Sequence, residues 1–159
     1  MEVGSLAEWV SGIGTLLAVG TSLYLANRNP KKKLLVSHEI KEIGTLATVS
    51  DYNIETLVVT VANLEITSVQ IRDLFFVSES IRIKLPLSAL VGFAAMGKTT
   101  PCVVDPFSEV RFLVIYNDFQ SLLKEKNARG IITGEILVVD ESNKKHRDKV
   151  KLTIEVVDM

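Results

Sequence analysis

The chain has 159 residues, about the length of one domain, and its 47% apolar and 23% charged residues are enough to build a core. A net charge of −1 excludes a global basic field of the kind that recruits nucleic acid, and the single cysteine, Cys102, excludes an internal disulfide and fits a reducing compartment. His38 and His146 lie far apart with no further ligand at metal-binding spacing, so no metal and no cofactor is expected, and both histidines read as surface or turn residues.

In chain order, residues 1–8 form a short N-terminus carrying Glu2 and Glu8. The uncharged run "WVSGIGTLLAVGTSLYLA" over 9–26 follows, long enough as a helix to reach about 27 Å at about 1.5 Å per residue. Acidic rather than basic residues precede it, which argues against a signal peptide. The expectation is a transmembrane helix over 9–27, with Trp9 and Tyr24 at the membrane boundary and Pro30 ending the helix. Arg28, Lys31, Lys32 and Lys33 form a basic linker over 28–33. By the positive-inside rule these charges predict a single-pass protein of the cell membrane, N-terminus outside and the remainder cytoplasmic. Within the helix, Ala7, Ser11, Gly14, Ala18, Ser22 and Ala26 form a face of small residues suited to packing against another helix.

From residue 34 the pattern changes to a period of two. "ETLVVTVAN" (Glu55–Asn63) and "VKLTIEVV" (Val150–Val157) alternate as half-buried strands do. Further strands are expected at Leu34–Ile40, Ser68–Val77, Ser80–Lys84, Val110–Tyr116 and Gly130–Val139, from their β-branched and aromatic content. One short helix is expected from Asn117 to about Lys126. "DESNKKHRD" (Asp140–Asp148) reads as a polar hairpin link. Residues 34–159 are therefore expected to form one antiparallel β-sandwich with one short helix.

"GFAAMGKT" (Gly92–Thr99) matches the phosphate-loop pattern, and "ILVVDE" (Ile136–Glu141) resembles the acidic strand end that holds magnesium in nucleotide hydrolases. A working phosphate loop opens a helix, whose first N–H groups hold the phosphates. Pro101, Pro106 and the β-branched "CVVD" stretch oppose a helix here, and a parallel core lacks its crossover helices, so the hydrolase is only a secondary alternative and no catalytic residue is assigned. Cys102 reads as a structural thiol. "LPLSALVGFAAMG" (Leu85–Gly97) shows neither period; if it lies at the surface, Leu90, Val91, Phe93 and Met96 form a patch suited to a protein partner.

The anchor with its basic stop, together with "VTVANLEITSVQIRDLFFV" and "GEILVVDESNKKHRDKVKL", resembles small bacterial and phage membrane proteins that carry an N-terminal transmembrane helix and an immunoglobulin-like β-sandwich. The resemblance implies architecture and carries no activity across. The expected function is that of a membrane-anchored accessory, scaffold or sensor protein whose partners are the lipid bilayer and a protein or a second copy of the chain. A phage-related or defence protein acting on the envelope by oligomerising in the membrane is the alternative.

Overall fold

The computed structural model describes residues 3–27, 34–44, 53–91 and 95–156, with side chains for 8–25, 34–44, 53–89 and 96–156. The chain divides into two compact units, Met1–Lys31 and Lys32–Met159.

The first unit is the helix α1 (Val3–Asn27). Its Leu16, Leu23 and Trp9 side chains are exposed, and Thr15 Oγ1 donates to the Ser11 carbonyl at 2.9 Å. Among the described residues no helix is long and apolar enough to cross a membrane. The physical reason is dilution: the repeated Gly, Ser and Thr positions, from Ser11 to Ser22, break up the leucine and valine content. The expected fold class, which required a transmembrane helix ahead of the sandwich, is corrected to a mainly β chain with two helices among the described residues. The single-pass topology and the placement in the cell membrane with a cytoplasmic domain are overturned by the same finding.

The second unit contains β1 (Leu34–Gly44), β2 (Asn53–Asn63), β3 (Val69–Val77), β4 (Arg82–Lys84), β5 (Leu87–Ser88), β6 (Leu90–Val91), β7 (Ala95–Met96), β8 (Cys102–Val104), β9 (Glu109–Ile115), α2 (Tyr116–Glu125), β10 (Gly130–Asp140), β11 (Lys145–Arg147) and β12 (Leu152–Val156). One antiparallel sheet has the order β1-β2-β9-β5. The other runs β11-β10-β3-β4, with β12 also on β10 and β8 also on β3. The neighbours β2–β9 and β3–β10 are distant in sequence, so the order is of Greek-key type rather than a run of hairpins.

Alternation builds the core between these sheets. Leu57, Val59 and Val61 of β2, Phe112 and Val114 of β9, Leu74 and Phe76 of β3, and Ile136 and Val138 of β10 belong to one buried cluster. Tyr116, Phe119 and Leu123 give α2 one apolar stripe at helical spacing, and all three join that cluster. Phe119 meets Phe76 edge-on, with ring centroids 5.3 Å apart. Asn127, at φ 57°, ends α2 in the left-handed conformation, and Ala128 N–H donates to the Leu123 carbonyl at 3.0 Å. Gly130, at φ 71°, then turns the chain into β10.

Polar pins hold the connections. Asn63 is fully buried, and its Nδ2 donates to the carbonyls of Thr67, Val104 and Asp105 at 2.8, 3.1 and 3.2 Å. It thereby ties the β2–β3 turn to the β8–β9 loop.

Candidate functional site

A concave feature of the β unit lies beside β10. This strand has 11 residues and its neighbour β3 has 9. Pairing between them begins at Glu135↔Val77, and β3 then leaves through a tight turn closed by Ser78 N–H donating to the Ile81 carbonyl at 2.8 Å. Among the described residues, the first residues of β10 are paired on their other side only, from Gly130↔Val156 to Gly134↔Leu152 on β12. Between the turn and this stretch runs a groove of about 560 Å³, lined by Val77–Ser80, Ile131–Glu135, Arg147 and Lys151.

Strand parity fixes which backbone groups face the groove. The Ile136 carbonyl accepts from Asp148 N–H at 3.0 Å, so Ile136 directs its main-chain groups toward β11. By alternation Ile132 and Gly134 direct theirs toward β12, whereas Ile131 and Thr133 direct theirs toward the groove. Among the described residues no strand pairs with Ile131 or Thr133 on that side. Ile131 is 75% exposed. Thr133 meets Thr153 across the ladder, their hydroxyls 3.4 Å apart.

The floor of the groove is set by a glycine. A Cβ on Gly134 would stand 2.4 Å from Phe76 Cζ and 2.7 Å from the Val77 carbonyl oxygen. Only glycine lets the Phe76 ring lie over β10 and seal the core at this point. At the rim, Arg147 Nη1 donates to Glu135 Oε2 at 3.1 Å, and Glu79 stands exposed on the turn.

Two buried His–Asp pairs fix the β10–β11 hairpin beside it. Asp140 is fully buried: its Oδ1 accepts from Ser142 N–H, Ser142 Oγ and Lys144 N–H at 2.9, 2.6 and 2.9 Å. Its Oδ2 accepts from His146 Nε2 at 2.9 Å. Burial pushes the Asp140 carboxyl up, but the bonds from His146, Ser142 and Lys144 outweigh it and hold the group below the usual carboxylate range. Asp148 Oδ2 accepts from His38 Nδ1 on β1, joining the two sheets, and Asp148 Oδ1 accepts from Val150 N–H at 3.0 Å. The reading of both histidines as surface or turn residues is thus corrected: His146 is buried and the His38 side chain is 9% exposed. The signal in the sequence was parity, since Asp140, His146 and Asp148 all fall on core-facing positions of the hairpin.

The phosphate-loop pattern is built differently from a phosphate loop. β7 and β8 flank Lys98 and Thr99, and among the described residues no helix opens there. Gly97 serves close packing: its Cβ would stand 2.8 Å from Leu113 Cγ and 2.7 Å from the Ser88 carbonyl oxygen. Lys98 N–H donates to the Arg111 carbonyl at 2.9 Å, and its side chain is exposed. Asp140 and Glu141, the acidic end of "ILVVDE", begin the β10–β11 turn. Cys102 is half-buried against the core; burial raises its thiol pKa, partly opposed by Lys98.

Of the expected partner patch, Met96 is 86% exposed and borders a depression of about 300 Å³ over Ile43, Val58 and Leu113, rimmed by Glu39, Lys41 and Arg111. The Leu90 and Val91 side chains and all of Phe93 lie outside the described residues. On α1, Ser11, Gly14, Ala18 and Ser22 are exposed; the Ala7 and Ala26 side chains lie outside the described residues. Trp9 and Tyr24 are exposed on α1, while Arg28, Lys31, Lys32 and Lys33 lie outside the described residues. Their membrane-boundary roles are withdrawn with the membrane span. The groove residues Ile131, Thr133, Glu79 and Glu135 were not singled out from the sequence. Their sequence signal is weak: an uncharged "GIITG" opening a strand longer than its neighbour.

No protein-family model and no curated protein matches the chain. Among solved structures, the Northeast Structural Genomics Consortium target SoR45 is similar to it at 11% identity, over 77% of this chain and 85% of its own, with a TM-score of 0.29. A likeness at that level carries no argument about fold or function.

Proposed function

We propose that the β unit is a protein-binding module, an accessory or scaffold domain whose site is the groove between the β3–β4 turn and the start of β10. One observation carries this reading. The groove combines a concave shape with a strand edge whose backbone groups at Ile131 and Thr133 face it unpaired among the described residues. The large apolar Ile131 stands exposed at the same place. Tagged wild type and Ile131→Asp are to be compared by quantitative affinity capture from extracts of the native host. A stoichiometric partner retained by the wild type and lost by the variant is expected. Identical partners on both forms contradict the groove as the site.

A further inference from the structure

Backbone geometry at the groove also specifies the kind of ligand, an inference that rests on the groove being the binding site. We propose that it takes an extended segment of a partner protein as an added β-strand, hydrogen-bonded to the main chain of Ile131 and Thr133.

Two residues along one strand present N–H and C=O pairs about 6.6–6.8 Å apart. Another extended backbone matches that repeat with its own donors and acceptors, whereas a helix has already used its groups internally. The edge also lacks the devices that normally prevent such pairing. Gly130–Gly134 contains no charge, no proline and no bulge, and pairing with β12 runs through it in unbroken register. Several other edges of the unit are guarded. β4 is only three residues long and carries Arg82 and Lys84; β1 carries Glu39, Lys41 and Glu42; β12 carries Glu155.

The walls narrow the segment's chemistry. A groove of about 560 Å³ fits a short stretch of chain and not a folded unit. The Ser78–Ser80 turn closes one end and so limits the length of the added strand. Ile132 is half-buried against the core, so the segment's inward-facing position calls for an apolar, β-branched residue beside it. Glu135 is engaged by Arg147, whereas Glu79 stands exposed at the closed end, which favours a basic residue there.

The test uses the full chain and a displayed library of random short linear peptides. The strongest peptide selected is remade with its backbone nitrogens methylated at alternate positions, in the two possible phases. Strand addition predicts that this peptide shifts the Ile131 and Thr133 amide resonances, and that one methylation phase weakens binding at least about tenfold while the other does not. It also predicts that Thr133→Pro, which removes an N–H facing the groove and none in the β12 ladder, weakens binding to a similar degree. Should Thr133→Pro fail to fold, the methylated pair alone still decides. Peptides that bind in the groove, lose affinity in Ile131→Asp, and tolerate both methylation phases would overturn strand addition while leaving the groove as a binding site. Peptides indifferent to Ile131→Asp, or a library yielding no binder, would overturn the site and the added strand together. Self-association of the chain that Thr133→Pro abolishes would make a second copy the occupant and overturn the partner segment.

Discussion

Replacing Gly134 with alanine tests the floor of the groove. The added methyl would meet Phe76 Cζ at 2.4 Å, Phe76 Cε2 at 2.6 Å and the Val77 oxygen at 2.7 Å, where carbon contacts prefer about 3.5–4.0 Å. The ring would have to retreat by about 1 Å to restore that separation. Phe76 is fully buried and edge-on to Phe119, and the Val77 carbonyl is backbone at the end of the β3–β10 ladder, so neither yields easily. Overpacking of this kind costs about 1–3 kcal/mol. The stiffer unfolded chain offsets about 0.4–1 kcal/mol of it. A net loss of about 1–2 kcal/mol should lower Tm by roughly 4–8 °C for a unit of this size. Thermal unfolding followed by circular dichroism measures it, with urea unfolding to confirm an unchanged m-value. In a Phe76→Leu background, where the ring edge is gone, the alanine should cost less. A Gly134→Ala chain as stable as the wild type, or more so, would refute the claim that the ring occupies the missing side chain's place.

Asp140→Ala removes the acceptor of four hydrogen bonds and leaves His146 buried without a partner; a loss of about 3 kcal/mol or more in urea unfolding is expected, and less than about 1 would contradict it. The depressed Asp140 pKa sets a direction with pH: its contribution is full above the unfolded carboxyl value of about 3.9 and is lost as pH falls through the lower folded value. Acid titration of stability should therefore show a smaller drop below about pH 4 in Asp140→Asn than in the wild type. Asn63→Ala should cost about 2–3 kcal/mol, because the carbonyls of Thr67, Val104 and Asp105 lose their donor, that of Val104 in a buried position; equal stability would show that water replaces the amide. Cys102, with its thiol pKa raised by burial, should react with iodoacetamide at neutral pH far more slowly in the native chain than in urea.

Local periodicity made much of the strand layout legible. The alternation at Glu55–Asn63 lies within β2, the expected helix from Asn117 overlaps α2 (Tyr116–Glu125), and Gly130–Val139 nearly coincides with β10. Each of these segments carries its own pattern of inward side chains. The N-terminal run misled because an uncharged stretch was weighed by length, while its glycine, serine and threonine content lowers its apolarity. Leu85–Gly97 was illegible for a different reason. Its strands β5, β6 and β7 have two residues each, too short for any period to show. The groove was hidden because an open edge is defined by what β3 fails to cover, and strand pairing is not written in either strand alone. His38 and Asp148 lie 110 residues apart, and only the meeting of β1 with the β11–β12 link brings them together.

Amide hydrogen exchange on the full, unliganded chain tests the central claim most directly. If the start of β10 is an open edge, the Ile131 and Thr133 amides exchange at least about tenfold faster than those of Ile132 and Gly134, which donate into the β12 ladder. Equal protection at all four amides would show that this edge is already covered, and would contradict the groove as a site for a partner.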